Sequence, residues 1–346
     1  MKLSLRPTTI DDLGEVREFL KQAFDIGEDE PFLDPVLMRW KYWDLRGDWD
    51  WPRAYVLEQD GLIVAHAGVY PLSFNGAAVR GVQLIDWASS KLVPGAGRAL
   101  LKRLSGMFDF VYAIGGNATT RKILPALGFE EYTKVWNYAR PLRPLRQIVS
   151  HPNRDWKLGV RLARNTLWSA SKAGGNRVPP GWKVSRIEPG AILGDLYKGR
   201  MGEDYFSPRP PAFFEYILCC PALPIHLYGI EDERGLRGHF AMGVMRGQAL
   251  VTGVWIREPD REAWAGAYSQ AQQVAMGLED ANEIAASGSV GSSEEGAALS
   301  GLRHVEYTPV YLLNKKGKLA LRTDFQFQLC DSDAFFLDLG HSAYWT

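Results

Sequence analysis

The chain has 346 residues, 46% hydrophobic and 23% charged, which excludes a disordered or fibrous protein and leaves room for two globular domains. Lys plus Arg and Asp plus Glu each total 40, so no net field draws the molecule to nucleic acid or to an anionic membrane surface. Cys219, Cys220 and Cys330 cannot build a disulfide framework, and the adjacent pair lacks metal-ligand spacing. With no apolar leader after Met1 and no stretch of the roughly 18 apolar residues that span a bilayer, the expectation is a soluble cytoplasmic protein without a metal.

Residues 2–6 read as a strand. After Pro7, Leu13, Val16, Leu20 and Phe24 recur at spacings of three and four, the stripe of an amphipathic helix that Thr9 or Asp11 can cap. An aromatic stretch follows, Trp40-Lys41-Tyr42-Trp43. Residues 54–58 and 62–70 then flank Gln59-Asp60-Gly61, a hairpin signal, and Asn75-Gly76 turns the chain into residues 80–88, which makes a three-strand meander. The pattern changes at Lys91-Leu92-Val93-Pro94-Gly95-Ala96-Gly97-Arg98, a glycine-rich turn entering a helix at Ala99. Residues 108–114 form an apolar strand, Gly115-Gly116-Asn117 leads to a helix over 118–127 that ends at Gly128-Phe129, and residues 132–140 close the half.

Around residues 141–180 the sequence is basic and broken by proline and glycine, with one helix over 156–171; the run from Arg140 to Arg146 reads as a solvated connector. The remainder repeats the first half in outline, with strands over 182–187, 225–231, 239–245 and 248–256, a helix over 261–277, a strand over 283–287, a helix over 293–299, Gly301-Leu302 and a strand over 304–313. From Lys2 to Gly128 is 126 residues and from Trp182 to Gly301 is 119, so an internal duplication is expected. The tail Cys330-Asp331-Ser332-Asp333 reads as a surface turn whose two carboxylates have the reach to enter a cleft.

A glycine-rich turn opening a helix gathers unpaired N–H groups at the positive end of the helix dipole, and missing side chains let a phosphate approach them. The order strand, helix, meander, glycine turn, helix, strand, Asn, helix, Gly-Phe resembles the GCN5-related N-acetyltransferase (GNAT) family over residues 2–140. The resemblance implies an α+β fold of two GNAT-like domains with mixed, mostly antiparallel sheets: residues 1–141 with the acyl-CoA site, a linker over 142–180, and a second domain over 181–346. It also implies transfer from acetyl-CoA or another acyl-CoA to a small-molecule or amino-sugar amine, directly within a ternary complex. Leu92 to Gly97 occupy the family's phosphate signature, with leucine in place of the usual Arg or Gln, and Lys91 or Arg98 are left to supply charge. Trp87, Ala88 and Ser89 would line a slot where two strands splay around the pantetheine. Leu92, Val93, Pro94, Gly95, Ala96, Gly97, Arg98 and Ala99 would cradle the diphosphate, and Asn117 would face the pantetheine arm or act as a plain N-cap.

Asp86, on the strand leading into the cradle, is the candidate general base, with a solvated-face carboxylate as the alternative. The family's usual acid, a Tyr four residues before the Gly of Gly-Phe, is Leu124 here; Tyr70, Tyr112 or Tyr132 are substitutes, or the thiolate leaves unaided. His66 in an apolar strand reads as a core histidine, and the aromatic residues 40–51 as core packing or one wall of an acceptor site. In the second half the cradle position is Ile256-Arg257-Glu258-Pro259-Asp260-Arg261-Glu262, whose carboxylates repel phosphate. Two other functions fit the sequence: a non-catalytic acyl-CoA-binding protein, and an aminoacyl-type transferase of the related tandem fold that uses charged tRNA.

Overall fold

The computed structural model describes residues 2–72, 79–116, 118–149, 156–170, 177–198, 205–258, 260–289, 291–317, 325–336 and 344–346; the Asn75-Gly76 turn and Asn117 lie outside the described residues. The first half runs β1 (Leu3–Pro7), α1 (Leu13–Phe24), α2 (Pro35–Tyr42), β2 (Ala54–Gln59), β3 (Leu62–Leu72), β4 (Gly81–Ser89), α3 (Ala96–Met107), β5 (Phe110–Ile114), α4 (Ala118–Ala126) and β6 (Glu130–Pro141). The connection carries α5 (Pro144–Val149) and α6 (Lys157–Ala170). The second half holds β7 (Lys183–Arg186), α7 (Asp195–Lys198), β8 (Tyr205–Phe206), α8 (Pro211–Leu218), β9 (Ile225–Asp232) and β10 (Gly235–Met245). It ends with β11 (Gln248–Ile256), α9 (Arg261–Gly277), β12 (Glu283–Gly288), α10 (Ser292–Leu299), β13 (Arg303–Leu313) and β14 (Phe325–Gln326).

Local chemistry explains most boundaries. In α1 the stripe residues Val16 and Leu20 are fully buried. Asp60 and Gly61 both take positive φ, 52° and 80°, the conformation a two-residue turn between right-twisted strands requires. The helix α2, absent from the sequence reading, begins where the Asp34 carboxylate accepts the N–H groups of Val36 and Leu37, both at 2.9 Å, with Pro35 at the first helical position.

Among the described residues twelve strands join in one sheet, in the order β1-β2-β3-β4-β5-β13-β6-β12-β11-β10-β9-β7. The two halves interlock within it. β13, from the second half, lies antiparallel between β5 and β6, while β6 pairs antiparallel with β12. β6 therefore lies beside β12 of the other half and β13 beside β5, and the β6–β13 pair, from Arg303 opposite Ala139 to Leu312 opposite Glu130, sits at the join. One face of the first half carries α3 and α4 over a core of Leu100, Leu101, Leu104, Leu124 and Phe129. The other face carries α1 and α2 over a larger core that runs without a break from Val16 and Trp40 to Phe240, Trp255 and Trp264. Among the described residues no helix is long and apolar enough to cross a membrane.

A chain ending at residue 141 lacks β13 and leaves the β5 and β6 edges unpaired. Expressed alone, residues 1–141 should be aggregated or unfolded, and co-expression with residues 142–346 should restore a one-to-one complex on size-exclusion chromatography. A monodisperse, folded 1–141 fragment would show that the interlock is dispensable.

Candidate active site

β4 and β5 run parallel but pair only from Gly81 opposite Phe110 to Gln83 opposite Tyr112. Beyond Gln83 the β4 chain stays on β3, down to Ser89 opposite Ala65, so its other edge has no β5 partner from Leu84 to Ser89. Six residues at about 3.3 Å per residue give this gap a length of about 20 Å. Its outer end is the glycine turn. Gly95 caps α3 with φ +84°, a conformation that a Cβ disfavours, and no side chain caps the helix. The Ala96 N–H is used by Val93 O and the Ala99 N–H by Gly95 O, while Gly97 and Arg98 stand in the first turn, where a helix offers its amides no internal acceptor.

The sequence-selected residues fall around this gap as follows. Trp87 is half-buried on the α3 side and its indole N–H donates to Gly97 O at 3.2 Å; Ala88 is buried on the opposite side, and Ser89 is exposed beside Gly97. Leu92 is 91% exposed, Val93 is half-buried and Pro94 is exposed. Arg98 lines a cavity of about 420 Å³ between α3 and α4 together with Lys102 and Lys315. Leu124, in the place of the usual acid, is completely buried in the α3–α4 core.

Asp86 sits at a bulge where the β3–β4 register slips, at φ +44°. Its carboxylate meets Lys41 Nζ at 2.7 Å and accepts the Tyr42 hydroxyl at 2.5 Å, and His66 Nδ1 lies 3.0 Å from its carbonyl. Burial works to raise the Asp86 pKa, but Lys41 and Tyr42 outweigh it and hold the group below the ordinary carboxylate value. His66, fully buried, is pushed down to about 4 by desolvation and is neutral at pH 7, as a core histidine would be. Tyr70 and Tyr112 donate their hydroxyls to the carbonyls of Cys330 and Asp331, and burial raises both well above the ordinary tyrosine value.

Several residues at this site carried no sequence signal. Lys41 and Tyr42 belong to an aromatic stretch that reads as packing, and Gln83 lies in an apolar strand. The tail differs most: Asp331 and Asp333 are buried, 1% and 7% exposed, where the sequence reads as a surface turn. Burial and the neighbouring Asp86 push the Asp333 carboxyl up to about 7. The stretch 40–51 divides between core and cleft. Trp40 stacks on Tyr216 of the second half at 4.6 Å, whereas Tyr42, Trp43, Trp49 and Trp51 line an open cleft of about 500 Å³. In the second half, Asp260 accepts the Ala263 N–H at 2.8 Å and so caps α9 with the protein's own carboxylate, closing to anions the helix end that corresponds to the glycine turn. Among the described residues no group of three or more His, Cys, Asp and Glu is arranged to hold a metal ion.

No protein-family model matches this sequence, and no curated protein matches it. Solved structures do match the fold. A GCN5-related N-acetyltransferase from Anabaena variabilis is similar at TM-score 0.58 and 10% identity, covering 90% of this chain and 72% of that one. A tandem GNAT protein from the clavulanic acid biosynthesis pathway is similar at 0.52 and 12%, covering 90% and 98%, and Saccharomyces cerevisiae N-myristoyltransferase with bound myristoyl-CoA at 0.55 and 12%, covering 90% and 82%. The fold is that of the GNAT acyltransferases. Its two interlocked halves give it the tandem form of that fold.

Lys41 and Asp86 form a buried pair, so removing one partner strands the other's charge at a cost of about 3–5 kcal/mol. K41M should lose stability on that scale at pH 7 in thermal or urea unfolding. In the wild type the Asp86 contribution is present above its unfolded pKa, near 3.8, and is lost as pH falls through the lower folded value. In K41M the unpaired carboxyl should titrate above 3.8, so the deficit should shrink on acidification; a deficit constant from pH 3 to 7 would contradict the pairing.

Proposed function

We propose that the protein is an acyl-CoA-dependent N-acyltransferase whose first half, residues 1–141, binds the acyl-CoA. One observation carries the reading: the unpaired end of β4 lies against a helix end that has a glycine cap and no side-chain cap. A pantetheine arm needs a strand edge with free amides and carbonyls, and its diphosphate needs an uncapped helix N-terminus. One stretch of chain, from Leu84 to Arg98, offers both. Trp87, Ala88 and Ser89 flank the arm, residues 92–99 cradle the diphosphate, and Arg98, Lys102 and Lys315 supply positive charge to the cavity beyond. Asn117 retains its assignment from the sequence, toward the arm. The solved relative with bound myristoyl-CoA supports an acyl-CoA as co-substrate, whether acetyl or longer.

The acceptor, a small amine or amino sugar, approaches through the cleft of Tyr42, Trp43, Trp49 and Trp51, whose ring faces suit sugar or apolar groups. Transfer is direct, with neither nucleic acid nor a membrane as partner. Residues 142–180 connect the halves, and residues 181–346 support the site without binding CoA themselves. Cys219, Cys220 and Cys330 are all free thiols, which suits a reducing cytoplasm. Asp86, already paired with Lys41 and Tyr42, shapes the bulge and orients Tyr42 at the cleft.

Acetyl-CoA or a longer acyl-CoA should raise the melting temperature, since a ligand at about 100 times its Kd adds about 2.7 kcal/mol. Gly95→Glu puts a carboxylate and a strained φ at the helix end and should abolish that rise, while Gly95→Ala, bearing only the conformational strain, should keep most of it. Equal shifts in all three proteins would remove the site. Shifts without turnover on any amine would favour the non-catalytic binder, a reading to which the apolar Leu124 lends its weight.

A further inference from the structure

The second half has its own diverging pair: β11 and β12 run parallel only from Gln248 opposite Glu283 to Val251 opposite Ala286. There the gap is filled by the chain itself. The Gln328 side-chain amide donates to Val254 O and accepts the Val254 N–H, so one carboxamide satisfies both backbone groups of the exposed edge. Ser289 N–H donates to Phe327 O at 3.0 Å, Phe327 N–H donates to Ser289 Oγ at 2.8 Å, and Gly288 bridges Gln328. A Cβ on Gly253 would come within 2.7 Å of Cys330 Sγ, so the strand and the inserted segment touch without space for a ligand.

From this plug the chain crosses to the first half. Arg209 holds both oxygens of Asp331 at 2.8 Å, and Phe336 packs edge-on to Trp40 at 4.9 Å. Between these anchors lies Asp333, at the point where β4 and β5 part. Gln83, the last β4 residue paired with β5, donates to Asp333 Oδ1 at 2.8 Å and accepts the Asp333 N–H at 3.1 Å. The charged and titratable groups facing Asp333 are Asp86 on β4, Lys41 and Tyr42 on α2, and Tyr112 on β5. Two carboxyls thus share one polar cluster with opposite tendencies: Lys41 and Tyr42 keep Asp86 ionised, and burial beside that anion leaves Asp333 able to take and release a proton near neutrality.

We propose that Asp333 is the proton acceptor of the acyl transfer, carried to the first half's site by a C-terminal segment whose residues 327–330 seal the second half's gap. The proposal rests on the acyl-transfer reading above. The Asp333 carboxylate takes one proton from the acceptor's ammonium group, and the freed nitrogen lone pair attacks the thioester carbonyl. The C–S bond breaks and its electron pair leaves with sulfur. The proton that the new amide nitrogen sheds goes to that sulfur, giving the free thiol, and Asp333 later returns its own proton to water. A base at the inner end of the gap is where the thioester of an arm anchored at Gly95 would arrive.

The test is steady-state acetylation by the full chain with acetyl-CoA and four acceptors, spermidine, glucosamine, tyramine and a lysine-containing peptide, from pH 5.5 to 9, read as CoA release. D333N keeps the Oδ1 acceptor and should lower kcat at least 100-fold, the usual scale for a lost general base. It should leave the acetyl-CoA thermal shift intact and erase the acidic limb of the kcat profile near pH 7. D333E, still a carboxyl, should retain a limb, displaced along the pH axis. D333N within threefold of wild type, or with its acidic limb unchanged, overturns the assignment of Asp333 and leaves acyl transfer standing. Wild type that binds acetyl-CoA yet acetylates none of the four overturns both.

Discussion

The exchange of β6 and β13 is the constraint from which the rest of the molecule follows. A buried strand edge must pair its N–H and C=O groups, and here each half lacks the strand that would complete its own fifth strand. β13 meets β5, β6 meets β12, and the two exchanged strands pair with each other along the join. The halves therefore share one sheet and one main core, with Trp40 of the first stacked on Tyr216 of the second. The exchange also sets where the chain goes next. After β13 it emerges inside the first half's sheet, close enough for residues 325–336 to span both halves.

Because the halves repeat a topology, their differences are informative. Both contain a parallel strand pair that parts after three or four residues. In the first half the gap meets a helix with a glycine at its cap; in the second it is stopped by Gln328, and the following helix is capped by Asp260. A capping carboxylate and a bound phosphate compete for the same amides, so the two helix ends differ in what they leave free for an anion. The second half has turned its gap into an anchor, and the anchored segment brings a carboxyl to the first.

Charge is placed with equal economy. Lys41, Asp86 and Asp333 are three ionisable groups away from water, an arrangement whose desolvation is offset only by close partners. Lys41, paired with Asp86, keeps that carboxyl ionised, while burial and the neighbouring anion push Asp333 up to about 7. The strained Asp86 backbone, at φ +44°, persists because the ion pair, the Tyr42 hydrogen bond and the β3 pairing all fix it.

Much of this was legible in the sequence, for reasons that are local. Period-two and period-3.6 patterns gave most strands and the longer helices of both halves, including β11 and α9 with the same bounds, since alternation and amphipathicity are set by neighbours within one element. The Asp60-Gly61 hairpin and the glycine turn into α3 followed from backbone freedom, whereas the carboxylates at 258–262 read only as repelling phosphate, and that Asp260 caps α9 came from the structure. What the sequence by itself determined is thus the α+β class, most of the sheet strands and their order, the duplication and the glycine-led helix end, but not α2 or α8. Only the tertiary structure decided that the halves exchange strands, that Lys41 and Tyr42 reach Asp86, and that the tail is buried beside Gln83, 250 residues away along the chain. Strand edges are chemically alike, so pairing partners leave no mark in a single sequence, and a carboxylate on a short polar turn looks the same whether water or the core surrounds it.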